Sequence, residues 1–437
     1  MKRYPAYKPS GVEWLGEVPE GWRLSQLKHI CKFQTGWTPP TGDSDSYVGE
    51  NLWANISDLG QSVIHDTAKR LSDEAIERHG IAPCPAGSLL FSFKLSIGQV
   101  SFAGRELYTN EAIATFLPSA NIDLRFAFYA FPEMVVRNAS ENIYGAKMLN
   151  QQLINSATLL VPPLPEQRAI AAFLDQETAK IDALVAEQRR LIDLLREKRQ
   201  AVISHAVTRG LNPKAPLKPS GIDWLGDVPE GWEVVKLSSH FKASKGPRGQ
   251  MLTKEYCGQF TGEYPVYSGQ TDNLGVMGTI DDFDFDAGAE GVLFSTTVGA
   301  KAMTVSHILG KFSLSQNCMI ISPTSDEISP RFYFHHFQPL FAYCRSQIPD
   351  HMQPSFRMSD LYQFKIALPP KAEQDEIASN LDRLSAEFDS LTATAESAIA
   401  LLQERRAALI SAAVTGKIDL RALALQTSAL PSLEAPQ

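Results

Sequence analysis

The apolar positions of this 437-residue chain follow two rhythms, and each rhythm occurs twice. Short apolar runs bounded by turn-forming residues predict buried strands: LLFSF (Leu89 to Phe93) and AIATFLP (Ala112 to Pro118), then VLFST (Val292 to Thr296) and CMIISP (Cys318 to Pro323). An aromatic helical pattern follows each set, with Arg125, Phe126, Phe128, Phe131 and Pro132 matched by Arg331, Phe332, Phe334, Phe337 and Pro339. The spacing then becomes a 3-4 alternation. In the first stretch the seam is Ile170, Leu174, Ile181, Leu184, Leu191, Leu195 and Val202, with Glu177, Gln188 and Lys198 at polar seam positions. In the second it is Ile377, Leu381, Leu384, Phe388, Leu391, Ala398, Leu402 and Leu409. A seam sustained over about six heptads without Pro or Gly predicts a coiled coil rather than a helix lying on a globule, and the common length and phase favour pairing of the two.

The doubling extends to the letters themselves. PSGVEWLGEVPEGW (Pro9 to Trp22) returns as PSGIDWLGDVPEGW (Pro219 to Trp232), with three near-isosteric changes. VPPLPEQRAIAAFLD from Val161 matches LPPKAEQDEIASNLD from Leu368, and REKRQAVISHAVT (Arg196 to Thr208) matches QERRAALISAAVT (Gln403 to Thr415). The chain is therefore a duplicated module of about 205 to 210 residues, outside the range of short solenoid repeats. The expected division is residues 1–163, a long helix 164–209, residues 210–370, a second long helix 371–418 and a tail 419–437. The loops inside the modules have diverged: GWTPPTGDSDSYVGENLWANISDLG bears little likeness to GPRGQMLTKEYCGQFTGEYPVYSGQ.

Composition narrows the function classes. A content of 44% hydrophobic and 21% charged residues is that of a soluble multi-domain protein, and no apolar stretch long enough to span a bilayer or form a signal peptide is seen. A cytoplasmic protein without a membrane partner is expected. The scattered cysteines Cys31, Cys84, Cys257, Cys318 and Cys344 form no Cys-x-x-Cys pair and read as reduced packing residues. The net charge of −8 disfavours promiscuous nucleic-acid binding, and residues 23–160 and 232–368 each carry 11 basic and 13 acidic side chains. A DNA surface on either module must be a local basic patch on a mildly acidic body.

The order of a WLG-x-VP-x-GW opening, a variable region, a PP-x-x-EQ turn into a long helix, and the whole unit again resembles the specificity subunit of type I restriction–modification systems. The likeness covers nearly the whole chain; the second turn reads PPKAEQ and lacks the helix-start proline of PPLPEQ. The resemblance implies an α+β fold of two pseudo-two-fold-related mixed α/β target-recognition domains, separated by a long antiparallel two-helix coiled coil. It implies that each domain reads half of a split, asymmetric sequence in double-stranded DNA. The partners implied are two methyltransferase subunits and, where the complex also cleaves, two restriction subunits. No cofactor is expected on this chain, and S-adenosylmethionine is expected on the methyltransferase. Independently, a helix from Pro165 to Val207 would span about 65 Å at 1.5 Å per residue. Adjacent major grooves on one face of B-DNA are about 34 Å apart, so the helix is long enough to hold two readers apart.

An enzyme reading finds no support in the motifs. The three Pro-Pro pairs lie in TPPT, VPPL and LPPK, not in the Asn/Asp-Pro-Pro-aromatic motif of an adenine methyltransferase, and no Walker A, His-Glu-x-x-His or nucleophile-elbow pattern occurs. A non-catalytic chain is expected; the competing reading is a coiled-coil scaffold whose heads bind protein. His335-His336 reads as a core or interface pair before a metal site, and Trp14, Trp22, Trp224 and Trp232 read as packing anchors. For DNA contact, polar side chains on loops and helix starts are the candidates. In the first module these are Thr38, Lys94, Ser96, Tyr144 and Lys147; in the second, Lys245, Arg248, Tyr267, Ser268, Gln270, Lys301, Gln353 and Arg357. Three pairs recur at matched places: Lys94 with Lys301, Gly36 with Gly246, and Tyr144 with His351. No metal ligands are expected.

Overall fold

The structure is a computed structural model that describes residues 2–141, 145–269, 275–299, 301–349 and 351–422. It divides into two units, Met1–Glu187 with Ala398–Gln437, and Gln188–Ser397. Each unit contains one mixed α/β head, the start of one long helix and the end of the other.

In the first head a five-stranded sheet has the order Phe33–Thr35, Ile113–Phe116, Leu89–Ser92, Val100–Ala103, Val63–Ile64. The strands predicted from LLFSF and AIATFLP are its buried centre, and they pair antiparallel, Ile113 opposite Ser92. The second head repeats the arrangement with Phe241–Ser244, Cys318–Pro323, Val292–Thr296 and Val305–Ile308. A second sheet in each head, three-stranded in the first and four-stranded in the second, contains one parallel pair: Asn51–Ala54 beside Tyr108–Thr109, and Tyr264–Tyr267 beside Lys311–Leu314. The aromatic patterns form the helices Leu124–Met134 and Pro330–Ser346, each with an internal proline, and each lies on its sheet through aromatic edges. Phe116 meets Phe131 at 4.8 Å, and Phe241 meets Tyr333 at 4.9 Å. Burial of each such ring contributes about 2 kcal/mol, so the head helices and sheets stabilise one another.

The recurring letters are the joints of each unit. The opening segments are hairpins, Tyr7–Pro9 on Glu17–Pro19 and Leu217–Pro219 on Asp227–Pro229, each ending on a tryptophan that is 1% exposed. Trp22 Nε1 donates to Glu166 Oε2 at 3.0 Å, and Trp232 Nε1 donates to Glu373 Oε2 at 2.9 Å. The glutamine beside each glutamate ties the head helix to the same place. Gln167 Oε1 accepts from Asp123 N and Gln374 Oε1 accepts from Ser329 N, both at 2.8 Å. Each glutamine also donates to the first proline of its Pro-Pro turn. In PPLPEQ and PPKAEQ the Glu-Gln pair therefore fastens the opening turn, the head helix and the long helix to one another. The missing proline of the second copy leaves these bonds intact. A helix end completes each joint: Gly416 (φ +74°) lies on Pro19 and Trp22, and Gly210 (φ +73°) on Trp232 and Glu373. In the first unit Tyr4 adds a hydroxyl bond to Glu166 at 2.5 Å, and burial together with that carboxylate drives its phenol strongly upward in pKa.

The long helices are Leu164–Arg209 and Lys371–Val414. Within the first unit their segments run antiparallel, Ile170 and Leu174 sharing a core with Ala413 and Val414 while Arg406 pairs with Asp182 at 3.0 Å. Within the second, Ile203 and Val207 share a core with Ile377 and Leu381, and Arg199 pairs with Asp389 at 2.5 Å. Of the seam residues, Ile170, Leu174, Ile181, Ile377 and Leu381 are buried, and Leu195, Val202, Leu384, Phe388, Ala398, Leu402 and Leu409 are half-buried. Leu184, Leu191 and Leu391 are corrections to that seam, being 51%, 42% and 53% exposed, while Val185, Ile192 and Ala395 are 8%, 7% and 3% exposed. Burial follows 174, 178, 181, 185, 188, 192 and 195, an alternation that shares every second position with the one read from the sequence. Leu184-Val185 and Leu191-Ile192 offer apolar neighbours for either phase, and tertiary packing selects between them.

The head helices are also tied to the long helices by ion pairs. Arg125 and Tyr129 both reach Asp175, the tyrosine at 2.7 Å, while Arg331 and His335 both reach Asp382, the histidine at 2.8 Å. His336 Nδ1 lies 3.3 Å from the Val207 carbonyl among aromatic rings, so both histidines belong to the interior of their unit. Among the described residues no helix is long and apolar enough to cross a membrane, and no group of three or more His, Cys, Asp or Glu could hold a metal ion.

Candidate nucleic-acid interface

Candidate residues gather where the small parallel pairs end and the loops between buried strands turn. In the first head Gly36 follows the edge strand Phe33–Thr35, and a Cβ there would lie 1.6 Å from the Thr109 carbonyl oxygen. Only glycine lets the backbone pass this close, and Trp37 N donates to that oxygen at 2.9 Å. Thr38 comes next, and its hydroxyl donates to Glu111. Lys94, in the loop after Leu89–Ser92, reaches the other oxygen of the same carboxylate at 3.6 Å. Partial burial works against the charge of Glu111, yet the Thr38 hydroxyl, a backbone N–H and Lys94 hold its pKa below the usual carboxylate value. The structure thus brings Thr38 and Lys94 together through a residue that sequence reasoning missed, and Glu111 offsets the lysine's charge. Ser96 is exposed in the Lys94 loop, and its carbonyl accepts from the Ser92 hydroxyl. Lys147 is exposed on a separate hairpin, Ser140–Glu141 with Lys147–Met148, and Tyr144 lies outside the described residues.

In the second head Gly246 repeats the close approach, with the Leu314 carbonyl oxygen 2.7 Å from where a Cβ would lie, so the pairing of Gly36 with Gly246 is structural. Lys245 is exposed beside it. The second loop, after Val292–Thr296, lies against the segment at Pro354–Phe356. Gly299 N donates to Pro354 O at 3.1 Å, Phe356 N donates to Thr297 O at 2.7 Å, and Val298 bridges to Ser355. Exposed Lys301, Gln353 and Arg357 therefore belong to one loop cluster. Other candidates are committed to the fold. Arg248 pairs with Asp284 at 2.6 Å and Asp282 at 3.1 Å, the Asp284 side chain being 4% exposed. Tyr267 packs against Phe294 and Phe312, Ser268 is 7% exposed, and Gln270 lies outside the described residues.

The loops following the buried strands correspond by their bonding. Ser92 Oγ accepts from Gln99 N and donates to Ser96 O, while Thr296 Oγ1 accepts from Thr304 N and donates to Lys301 O. By this register Lys301 corresponds to Ser96 rather than to Lys94. His351 is exposed, but its proposed counterpart Tyr144 is among the residues not described. Asn55 and Asn110, which follow the parallel strands Asn51–Ala54 and Tyr108–Thr109, are further candidates at the same end of the head; the ends of short strands carry no apolar signal to mark them in the sequence.

Two heads that share an internal frame and joints but carry different loops define a duplicated architecture. The family described as "Type I restriction modification DNA specificity domain" matches residues 19–192 and again residues 229–400, and the chain belongs to that family of non-catalytic specificity subunits. It is 24% identical over 439 residues to the putative type I restriction enzyme MjaX specificity subunit of Methanocaldococcus jannaschii, covering 93% of this chain and 96% of the relative. It is 21% identical over 242 residues to the MjaIX specificity subunit of the same organism, covering 53% of this chain and 54%, or about half, of that relative. A solved chain described under "Structural basis underlying complex assembly and conformational transition of the type I R-M system" has the same fold, with TM-score 0.70 and 15% identity, over 92% of this chain and 99% of its own.

Proposed function

We propose that each head reads one half of a split, asymmetric DNA sequence, and that the chain directs two methyltransferase subunits to that site. Restriction subunits join where the complex cleaves. S-adenosylmethionine is bound by the methyltransferase, this chain supplying none of the chemistry, and the assembly works in the cytoplasm. The observation that carries the reading is the combination of one frame with two loop chemistries. Asn110 N bonds Ala54 O in the first head and Ser315 N bonds Tyr267 O in the second, which places Asn55, Asn110 and Glu111 where the other head has Ser268, Ser315 and Gln316. Asparagine and glutamine pair with adenine in the major groove, glutamate accepts from cytosine N4 and serine is less selective, so heads that differ at these places are suited to different half-sequences. The long helices are the element proposed to hold the half-sites apart.

The test is methylome sequencing of a host expressing this chain with its methyltransferase partner. The expected result is a split motif carrying N6-methyladenine in both halves. Exchange of residues 23–160 for the same region of a relative is expected to change one half and spare the other. If both halves change together, or if the assembled complex shifts a random duplex as well as one carrying the motif, the reading fails.

A further inference from the structure

The loop after strand Leu89–Ser92 holds a leucine where the backbone favours glycine. Leu95 has φ +58°, a left-handed conformation that burdens a branched side chain and leaves glycine unburdened, and the corresponding turn of the second head has Gly299 at φ +94°. The side chain recovers nothing from the interior, since it is 90% exposed. The loop is nonetheless firmly braced. Gly98 N donates to Ser92 O at 2.9 Å, Ile97 N to Leu95 O at 2.9 Å, and Gln99 N to Ser92 Oγ at 3.0 Å. A preorganised loop therefore presents an apolar tip to solvent, the arrangement of a contact residue and not of a core residue.

The surroundings of that tip state the chemistry it faces. Leu95 borders a recess of about 440 Å³ whose polar lining comes from Asn55, Ser57, Ser96, Gln99 and Asn110. Asn55 Oδ1 accepts from Ser57 N at 2.7 Å and Asn110 Oδ1 from Ala112 N at 3.1 Å, which orients both amides. Their NH2 groups, and the whole Gln99 carboxamide, have no protein partner among the described residues. Carboxamides pair with adenine N6 and N7 in the major groove, and thymine presents there the one apolar group of that groove, its C5-methyl.

We propose that Leu95 is a specificity-determining residue of the first head, its side chain taking the C5-methyl of a thymine while Gln99 reads an adjacent adenine. This inference rests on the DNA-reading role proposed above. It assigns at least one A·T pair to the half-site of the first head.

The experiment uses the chain assembled with its methyltransferase partner and duplexes carrying the motif found by methylome sequencing. Each thymine of the first head's half-site is replaced singly by deoxyuridine, which removes only the methyl group. For the wild-type complex one replacement is expected to weaken binding about four-fold, the value of one buried methyl group. Leu95→Ala is expected to weaken binding to the thymine duplex by a similar factor and to be indifferent to the same replacement. Leu95→Gly suits φ +58° and is expected to melt no lower than wild type while losing the same discrimination, which separates contact from folding. If no thymine matters to the wild type, or if Leu95→Ala and Leu95→Gly retain its thymine preference, the proposal is overturned. A wild-type complex that binds no duplex carrying the motif would overturn the DNA-reading role itself.

Discussion

Trp232 donates its indole N–H to Glu373 at 2.9 Å, joining the end of the opening hairpin to the first turn of the long helix 141 residues away. The first unit has the same bond, Trp22 to Glu166 at 3.0 Å, and adds Tyr4 as a second donor. Removing the acceptor strands buried donors. Glu373→Ala is expected to cost about 1–3 kcal/mol, and Glu166→Ala more, because two buried donors lose their acceptor. Denaturant melts of the two variants, followed separately by the fluorescence of Trp232 and Trp22 with the other tryptophans replaced, check the order.

Arg248 is expected to matter for stability before DNA affinity. Its guanidinium offsets the buried Asp284 carboxylate, and Arg248→Ala leaves that charge unpaired, at a cost of about 3 kcal/mol. Arg248→Ala with Asp284→Ala is expected to restore much of the loss. A double-mutant cycle in urea measures the coupling, and additive losses would show that the pair contributes nothing.

His336 gives the second unit an acid-sensitive interior. Burial pushes its pKa down to about 3, with the bond to Val207 O only partly opposing this, so the folded chain keeps the ring neutral. The unfolded chain protonates it near its ordinary value of about 6.5. Between those values the unfolded state binds more protons, so stability present above about pH 6.5 is lost as pH falls toward 3, by up to about 1.4 kcal/mol per pH unit. His336→Phe is expected to flatten the fall in melting temperature between pH 6.5 and 4.5. An unchanged pH profile would place the acid sensitivity elsewhere.

The separation of the two proposed half-sites is expected to follow the length of the long helices. One heptad inserted after Leu191 and another after Ala398 preserve the 3-4 phase and add about 10 Å along each helix axis. Three base pairs span a similar distance at 3.4 Å each, although the rotation of the duplex and its bending reduce the shift realised. Methylome sequencing is expected to return the same half-sequences with a longer gap. An unchanged gap with methylation intact would show that the helices do not set it.

The sequence by itself determined the duplication, the central strands and the long helices. Those features rest on local periodicity and on letters repeated in order, as with LLFSF and VLFST, or the two Pro-Pro turns. It also marked Gly36 and Gly246 as counterparts, although their reason, a carbonyl oxygen where a Cβ would be, belongs to the strand that passes them. Tertiary structure decided what periodicity leaves degenerate. Leu184 and Val185 serve a seam equally well until a neighbouring helix buries one of them, and here it buries Val185. Tertiary structure also decided which polar side chains are free. Arg248 and Lys301 look alike as loop cations, yet Asp284, 36 residues along the chain, engages the first while the second remains exposed. Leu95 carried no sequence signal, because a left-handed backbone and an exposed leucine are visible only once the loop is closed by Ser92 and Gln99. Contacts between residues far apart in the chain depend on how the whole fold closes, and local pattern does not encode that closure.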